Sequence, residues 1–259
     1  MDRDWPGEGV TAYRGQGNCE WGLSPTFLRR LRQFSIGEEM ALLVERKSLE
    51  EFQKQAHLHL SHSILAGLGN PIVWWAVMQH HGAPTRLLDW CESIYVAAYF
   101  ACTSEPECDG AVWVVHKGRV ASWMRQTHGD GAKQPNLQKE YERHYRKAGA
   151  PHILEFISTT RQTERMIAQQ GCFSISRNIL ADHKEILSQV AGHDERSVFK
   201  IIIPASVKVF FLRKLRTMNI TANSLFPGLD GLARSVDELM QVTGEHVTNP
   251  QVGLVDFEE

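Results

Sequence analysis

Between Gln79 and Ala101 the chain reads QHHGAPTRLLDWCESIYVAAYFA, and this stretch constrains the fold more than any other. Its first half brings together His80, His81, Gly82, Pro84, Thr85, Arg86, Asp89 and Trp90. Gly82 and Pro84 end any helix that enters it. Its second half is an apolar run rich in aromatics, opened by Ser93, a favoured helix N-cap. A polar loop is therefore expected to feed straight into a buried element. Loops held on a rigid scaffold are where binding and catalytic groups concentrate.

The flanking segments can be read by periodicity and punctuation. TAYRGQ (Thr11 to Gln16) predicts a short strand ending at Gly15, and Phe27–Phe34 a short basic helix. From Glu38 to Gly67, Leu49, Phe52, Ala56, Leu60 and Ile64 recur at helical spacing and predict one long helix. Asn70 caps the next helix, with Pro71 at its first position. A buried helix follows at Ile94–Cys102, and a strand at Ala111–His116. The polar, glycine-spotted region Arg119–Ala150 reads as an insertion over the core, with a short helix at Leu137–Ala148. Strands are expected at His152–Ile157, Cys172–Ser176 and Val198–Ile203. Helices are expected at Asp182–Val190 and Val207–Met218, and a last one carries Leu229, Leu232, Val236 and Leu239. The sum is an α+β domain spanning residues 1–247: a helical N-terminal block, a small mixed or antiparallel sheet core, and a loose tail at 248–259.

Composition narrows the classes. A hydrophobic fraction of 42% suffices for a sizeable core, and a net charge of −2 gives no global attraction to nucleic acid or anionic membrane. No apolar run approaches the roughly 20 residues of a membrane span. The opening MDRDWPGEGV is acidic and polar, unlike a secretory signal. Five cysteines without a CxxC pair point to a reduced, cytoplasmic protein. His57, His59 and His62 lack the spacing and partners of a zinc set, so no metal is expected. The basic runs at 29–32 and 213–216 read as solvated helix faces. Neither a phosphate-binding P-loop nor a Gly-x-Ser-x-Gly elbow occurs.

Four motifs together resemble one family. YRGQ (Tyr13 to Gln16) with WGLSPTFLRR (Trp21 to Arg30) is similar to the opening signature of the FRG domain, with Tyr13 in place of the family's Phe. QHHGAPTRLLDW with AAYFA resembles its central signature, although Cys91 stands where the family more often has Thr. RMIAQQGCFSI (Arg165 to Ile175) and LFPGLDGLA (Leu225 to Ala233) resemble its third and fourth, and all four occur in the family's order.

The resemblance implies an ADP-ribosyltransferase-like fold and a setting in phage defence or toxin–antitoxin systems. It implies NAD as substrate, a macromolecular acceptor (protein or RNA) and an antitoxin as candidate partner; the charge and the lack of a long apolar run add the expectation of no membrane partner. Arg14, flanked by Tyr13, Gly15 and Gln16, would then grip the NAD phosphates or ribose through its planar fork. Thr85 would line the nicotinamide pocket, beside Arg86 and Trp90. Arg86 and Asp89 could be an ion pair that shapes the loop, or Asp89 could orient a ribose hydroxyl. His81 is the better placed of two histidines to face the pocket, and His80 stays open. Gln169 and Gln170 stand where such transferases carry a catalytic Glu. A Gln can position ribose but supplies no charge. Arg165, four residues before Gln169, could reach a phosphate. Arg14, His81, Asp89 and Gln170 are thus the catalytic candidates. The alternative is a non-catalytic module that recognises a nucleotide or a protein in the same pocket. A nuclease using Asp89 and the histidines lacks a carboxylate cluster for Mg²⁺.

Overall fold

A computed structural model describes residues 10–60, 65, 68–132, 141–158 and 164–248. The first strand is β1 (Thr11–Gln16), followed by helices α1 (Thr26–Gln33), α2 (Glu38–Ala56) and α3 (Pro71–His80). Next come β2 (Leu88–Cys91), α4 (Ile94–Cys102), β3 (Gly110–His116), α5 (Lys117–His128) and the short α6 (Tyr141–Tyr145). Then follow β4 (Leu154–Ile157), α7 (Glu164–Ala168), β5 (Gly171–Ser176), α8 (His183–His193) and β6 (Val198–Ile203). The chain closes with α9 (Lys208–Thr217), α10 (Ala222–Leu225) and α11 (Leu229–Thr248). The six strands form one sheet in the order β4-β5-β2-β1-β3-β6, and each neighbouring pair is antiparallel. The fold is α+β, with a helical block between β1 and β2.

Helices cover both faces of the sheet. One face carries a core of Ala12, Leu88, Trp90, Val115, Cys172 and Val198 against Val120 and Met124 of α5 and Ile186, Leu187 and Val190 of α8. The other face is covered in two groups. Around β1 and β3, Tyr13, Val112 and Val114 pack on α4, α9 and α10. Around β5, Phe173 and Ile175 pack on Ile72, Trp75 and Ala76 of α3 and on Tyr141 and Tyr145 of α6.

Local chemistry explains three helix starts. Asn70 Oδ1 accepts from the Ile72 N–H at 2.8 Å, Ser93 Oγ from the Val96 N–H at 3.4 Å, and Asp182 Oδ1 from the Lys184 N–H at 2.9 Å. The glycines of β1 and β3 answer to packing. A Cβ on Gly15 would lie 1.8 Å from the Ala97 carbonyl oxygen, and one on Gly110 would lie 2.4 Å from that of Ala101. Thus α4 needs alanines, and the strands beneath it need glycines, because the two backbones touch. Buried Lys208 ties the ends of these elements together, donating to the carbonyls of Gly17, Ser104 and Glu105 at 2.6, 3.0 and 2.8 Å.

Several expectations are corrected. Leu88–Cys91, read as loop, is a strand inserted between β1 and β5. Leu88 and Trp90 bury on one side while Asp89 stays exposed, and the flanking strands supply the ladder. Helix α2 stops at Ala56 rather than Gly67, and His57 to His59 lie in turns. His62, Ile64 and Gly67 lie outside the described residues. The region from Arg119 opens inside α5, whose Val120 and Met124 belong to the core and not to an overlying insertion. Of the helix expected at 137–148, Tyr141–Tyr145 forms, and 137–140 lie outside the described residues. The last helix exists, but Leu229, Leu232, Val236 and Leu239 face outward, 47–82% exposed, while Glu238 and Val242 are buried. Residues 1–9 and 249–259, the chain's start and expected tail, lie outside the described residues. No helix among the described residues is long and apolar enough to cross a membrane.

Two measurements test this packing. Gly15→Ala should cost about 3 kcal/mol or more in denaturant unfolding, because backbone atoms must move apart. Gly192→Ala in α8, where an added Cβ meets nothing within 4 Å, should instead stabilise by about 0.5–1 kcal/mol. The second concerns His183, buried with Nδ1 2.9 Å from Ser174 Oγ, which itself accepts from Trp90 Nε1 at 2.8 Å. Burial pushes its pKa down from 6.5 to about 3. The unfolded chain therefore takes up a proton that the folded chain refuses. Stability should fall as pH drops from about 6.5 towards about 3, and His183→Gln should flatten that part of the profile.

Candidate functional site

Strands β1 and β3 pair along their whole length, from Thr11↔His116 to Gln16↔Ala111, whereas β1 and β2 meet only at Tyr13↔Cys91. On the Asp89 side of that bridge, the Asp89 carbonyl has no partner on β1's backbone. The Arg14 guanidinium fills the role, with Nη1 donating to the Asp89 oxygen at 2.6 Å. A cavity of about 530 Å³ opens at this split. Its walls come from the end of α3, the α7 turn, α4, Phe226 and α11. Arg14, Trp21, His80, Asp89, Arg165 and Gln169 all contribute to its lining.

Charge in the cavity is partly committed and partly free. Arg14 is half-buried as a residue, yet its Nε is wholly enclosed and meets no acceptor among the described residues. Burial pulls the Arg14 pKa down against the counter-pull of Asp89, but an arginine stays charged at any physiological pH. The Asp89 side chain is exposed into the cavity. Burial, reinforced by His81 and Arg165, lowers the His80 pKa, so its imidazole is neutral at pH 7 and can accept a proton. Glu238 enters from α11, buried to 3%. It accepts from the Ala222 N–H at 2.8 Å, the Tyr99 hydroxyl at 3.2 Å and Arg216 at 3.4 Å.

The candidate residues separate into three groups. Tyr13, Arg14, Gly15, Gln16, Asp89, Trp90, Arg165 and Gln169 border the cavity. Within that group, the Gln16 amide is spent on the protein, donating to the Gly22 carbonyl and accepting from Trp113 Nε1, both at 2.8 Å. Trp90 likewise spends its indole N–H on Ser174, and Gly15 is a glycine because of α4. Thr85 and Arg86 sit behind the wall, each 3% exposed. The Thr85 hydroxyl donates to Gln79 Oε1 and accepts from the Leu87 N–H at 3.3 Å. Arg86 pairs with Glu45 of α2 (Nε to Oε1 2.6 Å) and stacks over Trp75, so its ion pair is with Glu45 and not with Asp89. His81 and Gln170 turn away. His81 is exposed beside α2, and His80 is the histidine at the cavity. Gln170 takes a φ of +49° in the turn before β5 and is exposed. Trp21, Phe226, Arg234 and Glu238 were not singled out from sequence. Trp21 and Phe226 fell inside the resemblance motifs. Arg234 and Glu238 sit on the polar side of an amphipathic helix, which reads as solvated.

The fold and cavity define an antiparallel α+β domain with an aromatic-walled pocket lined by three arginines and three acids. Residues 10–109 match the FRG domain family, and the chain carries an FRG domain. No curated protein and no solved structure matches the chain. The matched segment supplies β1, Trp21, the α3 end, β2 and α4, while Arg165, Phe226, Arg234 and Glu238 come from beyond it.

Arg86 offers a test of architecture against chemistry. Burial alone would lower its pKa, but the Glu45 carboxylate outweighs that and raises it. Arg86→Met should cost about 3–5 kcal/mol by leaving Glu45 buried without its cation, and adding Glu45→Leu should recover most of the loss. Urea unfolding of the two variants checks this.

Proposed function

We propose that the FRG domain binds NAD in this cavity and transfers its ADP-ribose to a macromolecular acceptor, protein or RNA. The observation that carries the reading is the meeting, at the β1–β2 split, of an arginine with an unpaired buried donor and a carboxylate that reaches into a nucleotide-sized cavity. Arg14 holds the dinucleotide. Asp89 supplies the negative charge that Gln170 lacks, stabilising the oxocarbenium-like ribose as the nicotinamide bond breaks. Gln169 and the neutral His80 orient hydroxyls, and His80 can take the acceptor's proton. An effector role in a toxin or phage-defence system, with an antitoxin as partner, is carried by the family resemblance alone.

A second reading has its own support. Thr85 and Gln170 do not line the cavity, so two of the groups expected to handle nicotinamide and ribose are elsewhere. On that reading the domain is a non-catalytic module that recognises a nucleotide through Arg14.

Incubation with labelled NAD and cell lysate separates the two. The transferase reading expects label on protein or RNA, or free nicotinamide, with a fall of about 100-fold or more in Asp89→Asn. Binding of NAD by calorimetry with neither product assigns the domain to the recognition module.

A further inference from the structure

Phe226, just past α10, has two guanidinium groups against one ring. The Arg165 Cζ lies 4.8 Å from the ring centroid and the Arg234 Cζ 4.4 Å. The ring is held in place: it is 7% exposed and meets Phe100 edge-on at 6.0 Å. The two arginines come from different elements, α7 and α11, and both line the cavity. Cation–π contact keeps each guanidinium plane in position and leaves its N–H groups free to donate.

Neither arginine enters an ion pair or donates a hydrogen bond among the described residues. Elsewhere in the structure the pattern is different: Arg86 pairs with Glu45, Arg177 with Glu155, Arg119 with Asp194 and Arg32 with Asp182. The acids of the cavity, Asp89, Asp237 and Glu238, make no hydrogen bond to either arginine among the described residues. Glu238 is already committed to Tyr99, Ala222 and Arg216, and Asp237, exposed, accepts from Gln241 at 3.3 Å. Burial lowers the Arg165 pKa, and Arg234 adds to that, while Asp89 pulls the other way. Arg165 is half-buried and Arg234 exposed, so both guanidiniums keep donors that an anion entering the cavity can take up. Arg14, with its enclosed and unpaired Nε, borders the same cavity.

We infer that Arg165 and Arg234, spaced by Phe226, form the diphosphate subsite of this cavity, which makes its ligand a nucleoside diphosphate or a derivative of one. Two guanidinium forks on separate elements match two phosphoryl groups better than a single carboxylate or phosphate. Trp21, 44% exposed at the cavity's rim, offers a face on which a base can stack. The inference rests on the nucleotide reading of the cavity, though not on turnover.

Calorimetry on the full chain with ADP-ribose, ADP, adenosine and inorganic pyrophosphate tests it. ADP-ribose and ADP should bind, adenosine should bind at least about 10-fold more weakly, and pyrophosphate should compete. Arg165→Gln and Arg234→Gln should each weaken ADP about 10- to 100-fold, and Arg234→Lys should fall between. Arg125→Gln on α5 should change nothing. Arg234 is exposed, so its variants carry the test if Arg165→Gln does not fold. Binding of ADP and pyrophosphate that the variants abolish, with no binding of ADP-ribose, sinks the NAD reading and keeps the subsite. The subsite is overturned if the arginine variants bind ADP like the parent, if adenosine binds as well as ADP, or if none of the four probes binds.

Discussion

Helix α4 lies against β1 and β3 at backbone contact, and the cavity is laid out from that contact. Gly15 and Gly110 have no room for a side chain, since the Ala97 and Ala101 carbonyls occupy it. Such close packing holds β1 rigidly along its pairing with β3 while its other edge leaves β2 after one bridge. Arg14 stands at that edge, on a strand fixed by its packing against α4 and its pairing with β3. Lys208, donating to three carbonyls, extends the same rigidity to the turn that presents Trp21.

The arginines of this protein show how one residue type serves two ends. Arg86 and Arg177 are buried with carboxylates: Arg86 ties the turn before β2 to Glu45 of α2, and Arg177 ties the end of β5 to Glu155 of β4. A buried pair of this kind is weak evidence for chemistry, because its partners satisfy each other and leave nothing for a ligand. Arg14, Arg165 and Arg234 differ in what they lack. Among the described residues, the first has an enclosed donor without an acceptor, and the other two face an aromatic ring with no acid in reach of a hydrogen bond. Unspent donors at one cavity set these three apart from Arg86 and Arg177, which are fully buried and paired.

The stretch Gln79–Ala101 changes meaning once folded. Its polar density suggested an active-site loop. Most of that polarity goes into construction: Thr85 closes the turn onto Gln79, Arg86 anchors α2, and Trp90 bonds Ser174 beneath the sheet. What remains for a ligand is Asp89 and His80. Asp89 faces outward because a strand alternates, so its neighbours Leu88 and Trp90 go to the core and it does not.

Sequence by itself determined what depends on near neighbours. The caps at Asn70, Ser93 and Asp182, the β-branched strand at Val198–Ile203, the apolar helix after Ser93 and the Arg-Gly strand end are local patterns, each with a local cause. Tertiary structure alone decided what depends on distant partners. Leu88–Cys91 is a strand because β1 and β5 lie on either side of it. Arg86 pairs with Glu45, and not with the acid three residues away, because α2 packs across its path. The outward turn of Leu229, Leu232, Val236 and Leu239, which sends Arg234 and Glu238 to the cavity, was likewise invisible in the chain. Periodicity tells which residues share a helix face, but only the packed neighbours decide which face turns inward.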